Sequence, residues 1–72
     1  MAEQVIGYMV KVYDSENYNK DARILHEQKF MPRPTDPSGY QLGNALRRAE
    51  QHAQHMEKTF PDKYVEVDPI WG

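Results

Sequence analysis

The chain contains no cysteine. Disulfides are therefore excluded, as are the thiolate zinc sites that hold many small domains together, and no thiol is present to act as a nucleophile. No apolar run approaches the roughly 18 residues a membrane-spanning helix needs, since the longest lies between Val5 and Val10. Neither sign of charge dominates: nine Lys and Arg stand against eleven Asp and Glu, for a net charge of -2. Both signs are interleaved along the chain, which describes an ordinary solvated surface. A nucleic-acid binder concentrates its basic residues in a patch or stripe, whereas the only adjacent basic pair here is Arg47-Arg48. There is no glycine-rich phosphate loop. Met1-Ala2-Glu3-Gln4 carries neither a basic segment nor a long apolar stretch, so no secretion signal is expected, and with no disulfides the expected compartment is the cytoplasm.

What is present fits one small domain over residues 1–72. A chain this short buries only about 60% of the surface it exposes when unfolded. Small scaffolds usually compensate with disulfides, a metal or oligomerisation, and the missing cysteines move self-association up the ranking.

Val5-Ile6-Gly7-Tyr8-Met9-Val10-Lys11-Val12-Tyr13 reads as a strand with apolar side chains at both parities. Side chains alternate across a sheet, so Ile6, Tyr8, Val10 and Val12 face one way while Val5, Met9 and Tyr13 face the other. One helix cannot cover both faces. Residues 14–21 are polar and rich in turn formers, which predicts a loop or hairpin connection. The stretch from Ala22 to Met31 fits either period, and we read it as a strand because the first strand needs a partner close in sequence. Residues 31–39 carry three prolines and form a stiff connector.

Ser38 and Gln41 have the spacing of a capping box and predict the start of a helix. Leu42, Leu46, Ala49, Ala53, Met56 and Phe60 then recur at helical spacing, with Ala45 widening the stripe. Arg47, Arg48, Gln51, Gln54, His55 and Lys58 fall on the solvated side, and Pro61 ends the helix. Tyr64 to Asp68 alternates as a short strand that Pro69 should stop, leaving residues 69–72 as a tail in which Trp71 needs something to pack on.

The order strand, strand, helix, strand predicts a small α+β domain of ββαβ type. Its three-stranded sheet has the order 2-1-3, with antiparallel neighbours and one helix on one face. This places the second and third strands parallel to each other with a right-handed crossover. It resembles half of a ferredoxin-like fold, an architectural likeness with no functional content. The helix stripe should meet Ile6, Tyr8, Val10, Val12, Ile24, Phe30, Val65 and Val67.

On the open face the alternation gathers Val5, Met9, Lys11 and Tyr13, flanked by Leu25 and Tyr64, inside a charged border. Aromatics and Met within a polar rim are what an interface centre contains. With Trp71, these residues form the candidate interface. The expected role is that of a non-catalytic protein–protein interaction module, a homodimer through this face or an inhibitor or adaptor of a larger protein. Small accessory proteins of bacteria and phages are often of this kind. The alternative is a single-stranded nucleic-acid module that stacks bases on Tyr13 and Tyr64 and contacts phosphates through Lys11, Lys29 and Arg23. No cofactor, metal or membrane is expected as a partner. His52 and His55 lie three apart, and His26 offers a third imidazole. His55 points outward and no His-Glu-x-x-His pattern accompanies it, so the reading is ordinary surface histidines. His26 and Glu27 are neighbours on a strand and project to opposite faces, which disfavours a catalytic dyad.

Overall fold

Strand β1 (Val5–Tyr13) is the axis of the molecule, because among the described residues both other strands pair with it and the only helix lies across it. A computed structural model describes residues 3–37 and 39–72. The remaining elements are β2 (Ile24–Phe30), α1 (Gln41–Thr59) and β3 (Tyr64–Trp71), and the sheet order is β2-β1-β3. Both pairings are antiparallel, so this is the ββαβ arrangement the sequence predicts.

The alternation along β1 decides what the helix covers. Val10 and Val12 are fully buried beneath Ala49, Ala53 and Met56, with Tyr8, Leu25, Phe30, Phe60, Val65 and Val67 packed around them. Ala45 is also buried, so three of the helix's four buried residues are alanines, and they let its backbone lie close to the sheet. Leu42 and Leu46, expected in the centre of the stripe, are only half-buried at its flank. The principal extents of 38 × 29 × 13 Å leave room for one sheet and one helix and no third layer.

Two bulges change which residues share a face. On β2 the register slips opposite the Val12–Tyr13 step, pairing Val12 with His26 and Tyr13 with Ile24. Leu25 thereby joins the helix-side core, while Ile24 stands opposite Tyr13 and is 40% exposed. Strict alternation predicts the reverse for both residues; an extra residue in one strand shifts parity beyond it. A second irregularity, between Val5 and Gly7, takes Ile6 out of the core set, and it lies exposed against Gly72.

Strand β3 also runs further than Pro69 suggests. Tyr8 pairs with Pro69, Gly7 with Ile70 and Val5 with Trp71, and Gln4 and Gly72 exchange backbone hydrogen bonds beyond them. The expected tail at 69–72 is therefore mostly strand. An edge strand has one side without a neighbour, where the missing N–H of proline breaks no ladder.

The helix begins at Gln41 with Tyr40 at its N-cap and no side-chain cap, two residues later than a capping box on Ser38 requires. Ser38 itself lies outside the described residues. The Gln41 side chain donates instead to the Asp36 carbonyl at 3.4 Å. Arg48, expected on the solvated side, reaches over the connector: one guanidinium nitrogen lies 3.3 Å from Asp36 Oδ2 and another donates to the Met31 carbonyl at 2.9 Å. A single side chain thus fixes residues 31–36 to the helix. Burial opposes ionisation of Asp36. Hydrogen bonds from Arg48, the Arg33 backbone and Asn44, with the Arg48 charge, outweigh it and hold the carboxyl below the ordinary range.

Candidate functional site

The face of the sheet opposite the helix is built from cross-strand rows. Tyr13 lies between Ile24 and Tyr64, Lys11 between Glu27 and Glu66, and Met9 between Lys29 and Asp68. Beyond them Gly7 pairs with Ile70. The face is therefore aromatic at one end, charged in the middle and apolar at the other end.

The aromatic end is already covered. Tyr18 comes from the loop after β1, and its ring stands 5.8 Å from those of both Tyr13 and Tyr64, edge-on in each case. The Tyr13 and Tyr64 rings are themselves 5.8 Å apart. Such pairs add to the area buried. The loop is held in place by the Asp14 amide donating to the Arg23 carbonyl, the Tyr64 amide donating to the Ser15 carbonyl, and Lys63 contacting Asp14 at 2.9 Å. Tyr13 is left 6% exposed, so its apolar parity is satisfied within the chain. Its hydroxyl donates to Glu66 Oε2 at 2.8 Å.

The charged middle is strained on its acidic side. Burial, followed by a hydrogen bond and repulsion from Asp68, pushes the Glu66 carboxyl above the ordinary range, against the Tyr13 hydrogen bond and the Lys11 charge. Lys11 sits 3.6 Å from Asp68 Oδ2. A carboxyl whose folded pKa is raised contributes stability in full below its unfolded value and loses it as pH rises through the folded value, because the folded state then binds more protons than the unfolded one. At neutral pH Glu66 is therefore a cost. Glu66→Gln keeps an acceptor for Tyr13 and gains a donor for Asp68, and should raise the thermal midpoint at pH 7 by a few degrees. The difference from wild type should vanish towards pH 4, as melts followed by circular dichroism would show.

The apolar end is open. Met31 is 43% exposed, with Ile70 half-buried beside it. The Met31 sulfur lies over Gly7 so closely that a Cβ there would stand 2.5 Å from it, so a side chain at this position would have to displace the Met31 thioether.

Of the residues the sequence assigns to an interface, Met9, Lys11 and Tyr64 share this face. Tyr13 is buried within it, Leu25 faces the helix, and Trp71, which follows Ile70 directly along β3, points to the helix side with its partner Val5 because the bulge on β1 shifts parity there. Sequence reasoning missed Tyr18, Met31 and Ile70. The signal for Tyr18 was a lone aromatic in an otherwise polar loop, and for Ile70 it was the continuing alternation past Pro69.

The histidines also depart from expectation. His26 and His52 are both half-buried, and their Nε2 atoms lie 2.9 Å apart across the β2–α1 contact. The Phe30 ring is 5.3 Å from His52. Burial first, then the charges of His26 and His55, hold the His52 imidazole below its ordinary value. His52 thus favours stability above that value and withdraws it as pH falls through the lowered one. His55 is exposed, as expected. Among the described residues no three His, Cys, Asp or Glu side chains gather into a metal-holding group, and no helix is long and apolar enough to cross a membrane. No protein-family model, no curated protein and no solved structure matches the chain.

Proposed function

We propose that the protein is a non-catalytic interaction module of the cytoplasm that pairs with a second copy of itself through the open sheet face, centred on Met9, Met31 and Ile70. The observation that carries this reading is the apolar end of the face, where Met31 lies 43% exposed over Gly7 beside Ile70. Three further features favour a second copy as the occupant. The core is small: among the described residues Val10 and Val12 are the only large side chains buried to below 2% exposure, and no disulfide supplements them. Oligomerisation is the usual remedy. A standard interface takes about 800 Å² from each partner. That is about 15% of the 5297 Å² surface, and one broad side of a plate 38 by 29 Å is large enough. Finally, Lys11 and Lys29 share the face with Glu27, Glu66 and Asp68, and a two-fold contact needs both signs on one patch. The same count, three acidic residues to two basic ones, disfavours phosphate contacts, and with Tyr13 buried the stacking surface for bases is reduced.

Light scattering after gel filtration tests the proposal. Wild type should have twice the chain mass of 8.5 kDa, and Ile70→Glu should have the single-chain mass with an unchanged circular dichroism spectrum. A wild-type monomer rejects the homodimer, including the case in which that monomer captures a larger protein. A dimer that survives in folded Ile70→Glu and Met9→Glu places the contact elsewhere.

A further inference from the structure

We propose that His26 and His52 form a binding site for a divalent transition-metal ion of the copper or nickel type, which ties α1 to β2. The two side chains come from elements far apart in sequence, and their Nε2 atoms meet at 2.9 Å. Neutral imidazole nitrogen is a first-rank ligand for these ions.

The separation selects a geometry. With metal–nitrogen bonds of about 2.0–2.1 Å, two ligands at a right angle have their nitrogens about 2.9 Å apart, while a tetrahedral angle requires about 3.3 Å. The pair already has the first spacing, which belongs to tetragonal Cu(II) and Ni(II) rather than to tetrahedral zinc. The ring centroids stand 5.1 Å apart, so the nitrogens now point at each other and share a hydrogen bond. Metal binding needs both Nε2 lone pairs, so the shared proton moves by way of solvent to Nδ1 of the ring that donated it, and each ring tilts until both lone pairs aim at a common point. His26 and His52 are half-buried rather than sealed, so an ion and its remaining water ligands have access. The Phe30 ring, 5.3 Å from His52, backs that ring on its apolar side.

The consequence is structural. An ion bound only by the folded chain stabilises it by mass action, and here it supplies a cross-link that a cysteine-free domain otherwise lacks. The site lies on the opposite side of the sheet from the proposed dimer face, so the two proposals stand or fall separately.

Calorimetric titration with NiCl2 or CuCl2 alone, at pH 7.5, should give one ion per chain and a thermal midpoint that rises with ion concentration. Both effects should be lost in His26→Gln and His52→Gln and retained in His55→Gln. Absence of saturable binding to wild type overturns the proposal, as does unchanged binding in folded His52→Gln. Should either variant fail to fold, wild type still decides: paramagnetic broadening by Ni2+ in the NMR spectrum must centre on the ring protons of His26 and His52. Broadening centred on His55 or on the chain terminus rejects the site.

Discussion

Tyr13→Ala is expected to lower the thermal midpoint by about 15 °C or more, and in dilute solution to leave much of the chain unfolded. Truncating a buried aromatic to alanine typically costs about 3–5 kcal/mol. A domain of 72 residues has a total stability of only about 4–11 kcal/mol at the usual value per residue. For a domain of this size each kcal/mol is worth about 4–8 °C. The loss has three sources: the ring itself, its edge contacts with Tyr18 and Tyr64, and the hydroxyl that satisfies Glu66. The series Tyr13→Phe, Tyr18→Ala and Tyr13→Ala separates them. Tyr13→Phe removes only the hydrogen bond. Tyr18→Ala removes a side chain that is itself 58% exposed, and should cost clearly less than the central truncation. Thermal and urea melts would measure all three. A Tyr13→Ala variant as stable as Tyr18→Ala would show that the loop contributes more cover than the strand residue beneath it.

Ala49→Leu should also be damaging, though less so, and for the opposite reason. Ala49 is fully buried over Val10 and Val12, which are also fully buried, so added methylenes have no space to enter. Overpacking of this kind costs about 1–3 kcal/mol through off-rotamer side chains and backbone shifts. The least costly relaxation is for α1 to rise from the sheet. That motion should pull His52 away from His26 and release the His52 imidazole towards its ordinary value. A histidine titration by NMR alongside a thermal melt therefore checks both the energetic cost and its structural route. Leu46→Ala, at the half-buried flank of the stripe, should cost less and leave the His52 titration unchanged.

These effects differ in how far the sequence foretold them. The alternation of β1 and the helical stripe are local periodicities, so the strand at Val5–Tyr13 and the helix through Met56 could be read directly, whereas β2 fits either period and the ββαβ order rests on the need of β1 for a partner. The sheet order followed from the need of β1 for partners on both sides. The positions of individual side chains were less accessible. Leu25 and Ile24 exchange faces because β2 carries one more residue than its partner at that point, and a bulge depends on the pairing rather than on the strand's own pattern. The membership of the open face therefore differs from the set that strict alternation gathers. Leu25 turned to the helix, Tyr13 was sealed by Tyr18, and the apolar end gained Met31 and Ile70.

Arg48 and His52 illustrate the same limit on the helix. Helical spacing predicts Arg48 to be solvated and His52 to lie at the border of the stripe. In the structure the connector folds back to meet Arg48, and β2 brings His26 to His52. Side-chain chemistry of this sort is decided by what packs against an element, and those partners lie 12 to 26 residues away in sequence.

The sequence by itself determined that this chain forms a two-layer ββαβ domain whose central strand is apolar on both faces, because strand and helix periods are properties of consecutive residues and β1 needs a partner close in sequence. Only the tertiary structure decided how the second face is treated. It is sealed by Tyr18 at one end, paired as charges in the middle, and left open around Met31 and Ile70 at the other, because cover for a sheet face comes from loops, bulges and edge strands whose placement depends on long-range pairing.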